Sequence, residues 1–412
     1  MPENFTLAVT GQSLIHHDVR SDGSRAFRDV NDLLQGADLA FTNFEGTIAG
    51  RHGGWPLKGS AFGSSPPYVL DALRDMGFQA LSLSNNHSFD LGPSGVLSTL
   101  EEVEKRGFLY GGIGRNRREA STPLTGSFKS RAVSLIAMDG GPGPDFMYAE
   151  DAGGERPERP GVNPLRLSRI LEVDEETFEQ LRLIRDKIGY SAVDMIIDCQ
   201  PDDMPSIDEG RELALGRAVY SKSQRCGRGV KIDGSDLERN LQSIAAAART
   251  GSLAIAYLHH HHWASDWMQP PAWIGDIARK CIDAGAAAFV SHGAPVLQPI
   301  QIYKGRPIFY SLGNFIFHTV ADSPLWLRQE VWESVVGICS FDDDNRLTGL
   351  RLHPVLIGGE EGLKDDRIER RRVPHLASGA TAQRILRRLA DHSQKFGTRI
   401  EVIDGVGVLC LT

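Results

Sequence analysis

Leu253-Ala254-Ile255-Ala256-Tyr257-Leu258 runs straight into His259-His260-His261-His262, and this stretch decides the fold. A short apolar run with β-branched and aromatic residues reads as a buried strand, and four imidazoles stand at its carboxyl end. Three other runs end the same way. Leu39–Phe44 leads into Glu45, Ala80–Ser84 into Asn85-Asn86-His87, and Ala286–Val290 into Ser291-His292-Gly293. Amphipathic helices are expected between them, at Pro66–Met76, Gly95–Arg106 and Pro271–Ala284. Strands alternating with helices predict an α/β fold. Such folds gather chemistry at the carboxyl ends of their strands.

A carboxylate, an amide oxygen and imidazoles form a ligand set for a hard or borderline divalent cation. Each residue alone has a plainer explanation. Glu45 suits a helix N-terminus, Asn86 a turn or cap, and His87 and His292 a hydrogen-bonded interior. The histidine run suits a solvated loop. All four coinciding at strand ends favours a metallohydrolase centre. Side chains alternate along a strand, so His259 and His261 should face one way and His260 and His262 the other.

At these residues the chain resembles the CapA family of poly-γ-glutamate capsule-synthesis proteins, whose fold is that of the calcineurin-like metallophosphoesterases. The resemblance is carried by Ala37-Asp38-Leu39…Asn43-Phe44-Glu45, by Asn85-Asn86-His87-Ser88-Phe89-Asp90-Leu91-Gly92, by Arg159–Arg166, and most closely by Cys281–Phe317. It implies a four-layer α/β/β/α sandwich. It also implies Glu45, Asn86, His259, His261 and His292 as metal ligands, with one of His259 or His261 in the main set. His87 matches the catalytic histidine, and Asp90 either orients it or caps the helix beginning near Pro93. Arg20 and Asn314 fall at positions of substrate contact, and Trp263 is a further candidate beside the histidines.

Two positions depart from the family pattern. Gln12 stands where an anionic ligand is usual, and Pro295 where a histidine is usual. Both losses fall on the same metal site. The expectation is therefore one firmly bound divalent ion, Zn, Mn or Fe, unless His16 or His17 rebuilds the second site. One ion suits hydrolysis of an amide or ester in a small molecule better than phosphoryl transfer, which profits from two. The alternatives are a phosphoesterase, or a non-catalytic accessory factor in poly-γ-glutamate assembly.

Composition bounds the rest. The chain has 412 residues, 41% of them hydrophobic, enough for a large core. A net charge of −8 argues against a nucleic-acid partner, and Glu369 interrupts the basic stretch Arg367–Arg372. No apolar run approaches the ~20 residues of a membrane span, and Met1-Pro2-Glu3-Asn4 lacks a basic flank, so a cytoplasmic location is expected. Five scattered cysteines (Cys199, Cys226, Cys281, Cys339, Cys410) fit free thiols in a reducing compartment.

The domain reading is a catalytic core over residues 1–330 with an insertion at about 140–235, then 331–412 completing the second sheet. Within the insertion, Gly140–Pro164 is rich in Gly and Pro, Leu167–Ile188 reads as charged helix, and Pro201–Gly234 as polar loop. An insertion there suits a lid or specificity wall, with Phe146, Met147, Tyr148, Trp263, Trp267 and Trp273 as apolar contacts or as core.

Overall fold

The computed structural model describes residues 4–59, 63–129, 131–198, 204, 206–319, 324–364 and 372–410. Two sheets carry the fold. In the ten-stranded sheet, Phe5–Leu14, Leu39–Phe44, Ala80–Ser82 and Leu109–Gly111 run parallel and in that order. In the six-stranded sheet, Arg131–Asp139, Leu253–His259, Ala288–His292 and Arg306–Phe309 run parallel as neighbours. The central strands Leu39–Phe44 and Leu253–His259 are buried at every position, which is why their sequences are mostly apolar, with Thr42 and Asn43 buried as hydrogen-bonded exceptions.

Three principal apolar clusters stack through the molecule. One joins the helices Arg25–Gln35, Tyr68–Met76 and Gly92–Lys105 to the ten-stranded sheet through Val30, Leu34, Leu73 and Val96. A second draws Leu7, Val9 and Phe41 from that sheet and Leu135, Tyr257 and Val290 from the other. The third packs Ile244 and Ile277 of helices Gly234–Arg249 and Ala272–Asp283 on the outer face of the six-stranded sheet. Local signals set the helix ends. Ser24 and Asp233 accept the backbone N–H groups of Phe27 and Asp236, and Gly77 closes its helix at φ 115°.

Phe41 and Tyr257 meet edge to face across the sheets, ring centroids 5.7 Å apart, a pair worth about 0.5–1.5 kcal/mol beyond its burial. That contact brings the carboxyl ends of the two central strands to the same place.

The α/β class is as the sequence indicates, but three assignments change. Leu167–Val173 is a strand, and only Glu175–Ile188 is helix. The boundary is Asp174, whose side chain caps the helix at Thr177 N–H. The expected polar loop holds strands at Glu212–Leu215, Ala218–Lys222 and Gly227–Ile232; Pro201–Asp203 lie outside the described residues. Pairing with Leu167–Val173 makes these a four-stranded sheet with its own small core of Val173, Phe178 and Leu213. Polar outward positions had masked the period of two. Finally, Glu333–Phe341 and Leu347–Ile357 extend the sheet of the N-terminal strand and not the other one, because Glu333–Phe341 pairs antiparallel with Phe5–Leu14.

No helix among the described residues is long and apolar enough to cross a membrane. Cys281 and Cys339 are buried free thiols, Cys226 is exposed, and Cys199 and most of Arg367–Arg372 lie outside the described residues.

Candidate metal centre

Glu45 stands one residue beyond Leu39–Phe44, and its turn is pinned on both sides. The Glu45 N–H donates to the Ser13 carbonyl at 3.0 Å, and Asn85 Nδ2 donates to Phe44 O at 2.8 Å and Asn43 Oδ1 at 3.1 Å. The carboxylate thereby meets the histidines. Ligand atoms of Glu45, His259 and His261 all lie within 4.8 Å of one another. His259 Nε2 is 2.9 Å from Asn86 Oδ1 and 3.7 Å from Glu45 Oε1. The rings of His259 and His261 lie 5.1 Å apart on this face. His260 and His262 point the other way, onto Trp273 at 4.8 and 6.2 Å, so the alternation expected of a strand continues past its last residue, His259.

The electrostatics suit a cation. Burial pushes the Glu45 carboxyl up to about 7 against the pull of His87 and Lys58. Burial, then the neighbouring imidazoles, holds His259 well below its ordinary value; burial brings His261 and His292 to about 3. These imidazoles are neutral at physiological pH and offer lone pairs. Glu45 Oε2, His259 Nδ1, His261 Nε2 and His292 Nε2 are buried without a hydrogen-bond partner. Each such atom costs about 1–3 kcal/mol. A divalent ion would satisfy several at once, so the residues fit the group the sequence implies.

Beside this cluster, His87 Nδ1 lies 2.7 Å from Asp90 Oδ2. The same carboxylate accepts the Gly63 N–H at 2.7 Å and pairs with Lys58 Nζ at 2.8 Å. Burial alone would raise the Asp90 carboxyl, but His87 and Lys58 outweigh it and hold it below its usual value. Asp90 therefore orients the imidazole; the helix Gly92–Lys105 carries no side-chain cap. Gly63 is required at its place, since a Cβ there would stand 2.7 Å from His87 Nδ1.

The other expected residues divide. His292 pairs with His259 across neighbouring strands, and its Nδ1 is 3.2 Å from the Tyr257 hydroxyl, but it is not in the three-residue cluster. Gly293 holds this strand end close: its φ is +120°, and a Cβ would come within 1.8 Å of the His260 carbonyl oxygen. Trp263 lies beside His261, its ring tilted by 38° at a centroid distance of 5.0 Å. The structure does not bring Asn314 into the cluster. Asn314 is fully buried, accepting from Gln12 Nε2 at 3.0 Å and donating to Val331 O at 3.0 Å. Arg20 lies at the surface, where Asp18 and Asp75 take its guanidinium. His16 bonds Ser65 Oγ at 3.0 Å and His17 stacks on His318 at 5.4 Å, so neither joins a metal cluster. Met147 and Tyr148 are core, while Phe146 is exposed.

Sequence reasoning missed Lys58, which bridges Asp90 and the Asn86 carbonyl, and Asp139, a fully buried acid ending the strand beside His259. Asp139 did carry a signal, since it closes the apolar run Ala132–Met138. Lys58 carried none, because its loop has no periodic pattern.

The sequence model of the family described as bacterial capsule synthesis protein PGA_cap matches residues 6–319. The uncharacterised protein y4sH of Sinorhizobium fredii is 31% identical over 99% of this chain and 94% of its own length. The PGA biosynthesis protein CapA of Bacillus subtilis is 24% identical over 71% of this chain and 56% of its own length. Among solved structures, the 5'-nucleotidase precursor of Thermus thermophilus aligns at TM-score 0.37 and 12% identity, over 86% of this chain and 54% of its own; a likeness of that size decides nothing. With the family's match spanning the strand-end acid, amide and imidazoles, the chain belongs to the bacterial capsule synthesis protein family.

Proposed function

We propose that this protein is a metal-dependent hydrolase that cleaves an amide or ester bond of a small molecule. The observation that carries this reading is the buried convergence of Glu45, His259 and His261 beside an oriented Asp90–His87 pair. Glu45, Asn86, His259 and His261 would hold the ion, with His292 next to them. A Zn, Mn or Fe ion, when bound, acidifies water towards neutral pH and polarises a substrate oxygen. His87 has Nδ1 committed to Asp90, which leaves Nε2 to pass a proton to the departing group. Trp263 and Trp267, their rings 5.2 Å apart, offer an apolar surface beside His261 for the substrate.

One ion per chain is the stoichiometry this reading requires. Gln12 is tied to Asn314, and Glu45, His259 and His261 are the single ligand cluster among the described residues. A single ion favours carbonyl hydrolysis over phosphoester cleavage. Elemental analysis of purified protein, with turnover on matched amide, ester and phosphoester panels, tests it. Two ions held with similar affinity, or phosphoester turnover alone, would sink the amide–ester reading. The second reading, an accessory role in poly-γ-glutamate assembly, draws on the name of the Bacillus subtilis relative. Protein that holds no metal and turns nothing over would favour that role.

A further inference from the structure

We propose that Asp139 positions the His259–His261 pair, acting through the Gly140-Gly141 turn. Asp139 ends its strand in register with His259 on the neighbouring strand. Its main chain is fixed, with its N–H on Asn163 O at 2.9 Å and its carbonyl accepting Leu165 N–H at 2.8 Å. Its carboxylate Oδ2 accepts the Gly141 N–H at 3.1 Å, while Oδ1 is buried without a hydrogen-bond partner.

The turn so held grips the histidine run from outside the sheet. Gly140 N–H donates to His259 O at 2.7 Å, and Gly141 O accepts His261 N–H at 2.7 Å. Gly140 O also lies 2.9 Å from His262 Nε2. Gly141 has φ +67°, which favours glycine, and a Cβ on Gly140 would press on Leu167 Cδ1 at 2.8 Å. Two glycines are the least restrained pair a chain can offer. The Asp139 carboxylate supplies the restraint that they lack. His261 lies past the end of the regular strand, so this turn is what places its imidazole opposite Glu45. Groups that orient metal ligands from behind are typically worth roughly 10–100-fold in metal affinity.

The inference rests on the proposed metal centre, and one titration separates the two. Metal-free protein is titrated with Co²⁺ alone, followed by its visible absorption, beside the melting temperature of each metal-free variant. Asp139→Ala should bind Co²⁺ roughly 10–100-fold more weakly with an altered spectrum. Asp139→Asn keeps an oxygen for the Gly141 N–H and should bind close to wild type. Wild-type affinity in Asp139→Ala overturns the positioning role. Equal weakening in Asp139→Asn overturns it as well, because the charge and not the hydrogen bond would then be at work. If Asp139→Ala does not fold, Asp139→Val, which keeps the volume and loses the acceptor for the Gly141 N–H, decides, with a weaker affinity expected and an unchanged one fatal. A wild-type protein that binds no Co²⁺ removes the metal centre itself, and this role with it.

Discussion

His87 and Asp90 are three residues apart, and the short turn between them puts imidazole and carboxylate in contact at 2.7 Å. Glu45 and His259 are separated by about half the chain, and only the packed sheets bring them to 3.7 Å. The two pairs answer differently to mutation. His87→Ala should leave metal content unchanged and lower turnover by roughly 10²–10⁴-fold, the range for a lost general acid or base. Loss of the ion in that variant would show that His87 is a ligand. His261→Ala should strip metal more completely than His292→Ala, since His261 belongs to the three-residue cluster and His292 does not. Atomic emission on protein dialysed side by side measures both; equal losses would put His292 in the same coordination sphere.

The carboxyl ends of parallel strands supply every residue of the centre, while the turns just beyond them set its angles. His318 shows how such a turn is fastened. It follows Asn314–Phe317, its Nδ1 accepts the N–H groups of His16 and His17 at 3.1 and 3.3 Å, and its Nε2 donates to Arg372 O at 2.8 Å. That pattern needs a neutral ring, and burial, the first cause, brings His318 down to about 4. The unfolded chain binds the proton first. Stability that is complete above the ordinary value of 6.5 is therefore lost as pH falls towards 4. Urea midpoints of the wild type should drop over that interval, and His318→Gln should narrow the drop. An unchanged slope in the variant would mean that other buried histidines, His16 and His262 among them, account for it.

Across the whole molecule, the insertion is a small sheet and helix set against the histidine run, where Arg169 donates to His261 O at 3.0 Å. Its Gly/Pro-rich approach has two halves with opposite duties. Gly140 and Gly141 clamp the histidines, whereas Glu150–Arg159 is a hairpin closed by paired bonds of 3.0 Å, with residues 151–158 exposed. Replacing residues 152–157 by a two-residue turn should leave metal content and melting temperature nearly unchanged, because exposed loop tips tolerate length change. A large loss of metal would show that the hairpin supports the centre. Which residues are available to the centre was legible along the chain: apolar runs marked the parallel strands, and the period of two separated His259 and His261 from their neighbours. Those are local properties, readable because a strand buried on both faces has no choice of composition. Three others were not: which sheet Glu333–Phe341 would join, that Asn314 would be consumed by Gln12, and that Asp139 would stand beside His259. Pairings between distant strands decide these, and nothing in either partner's own sequence records them.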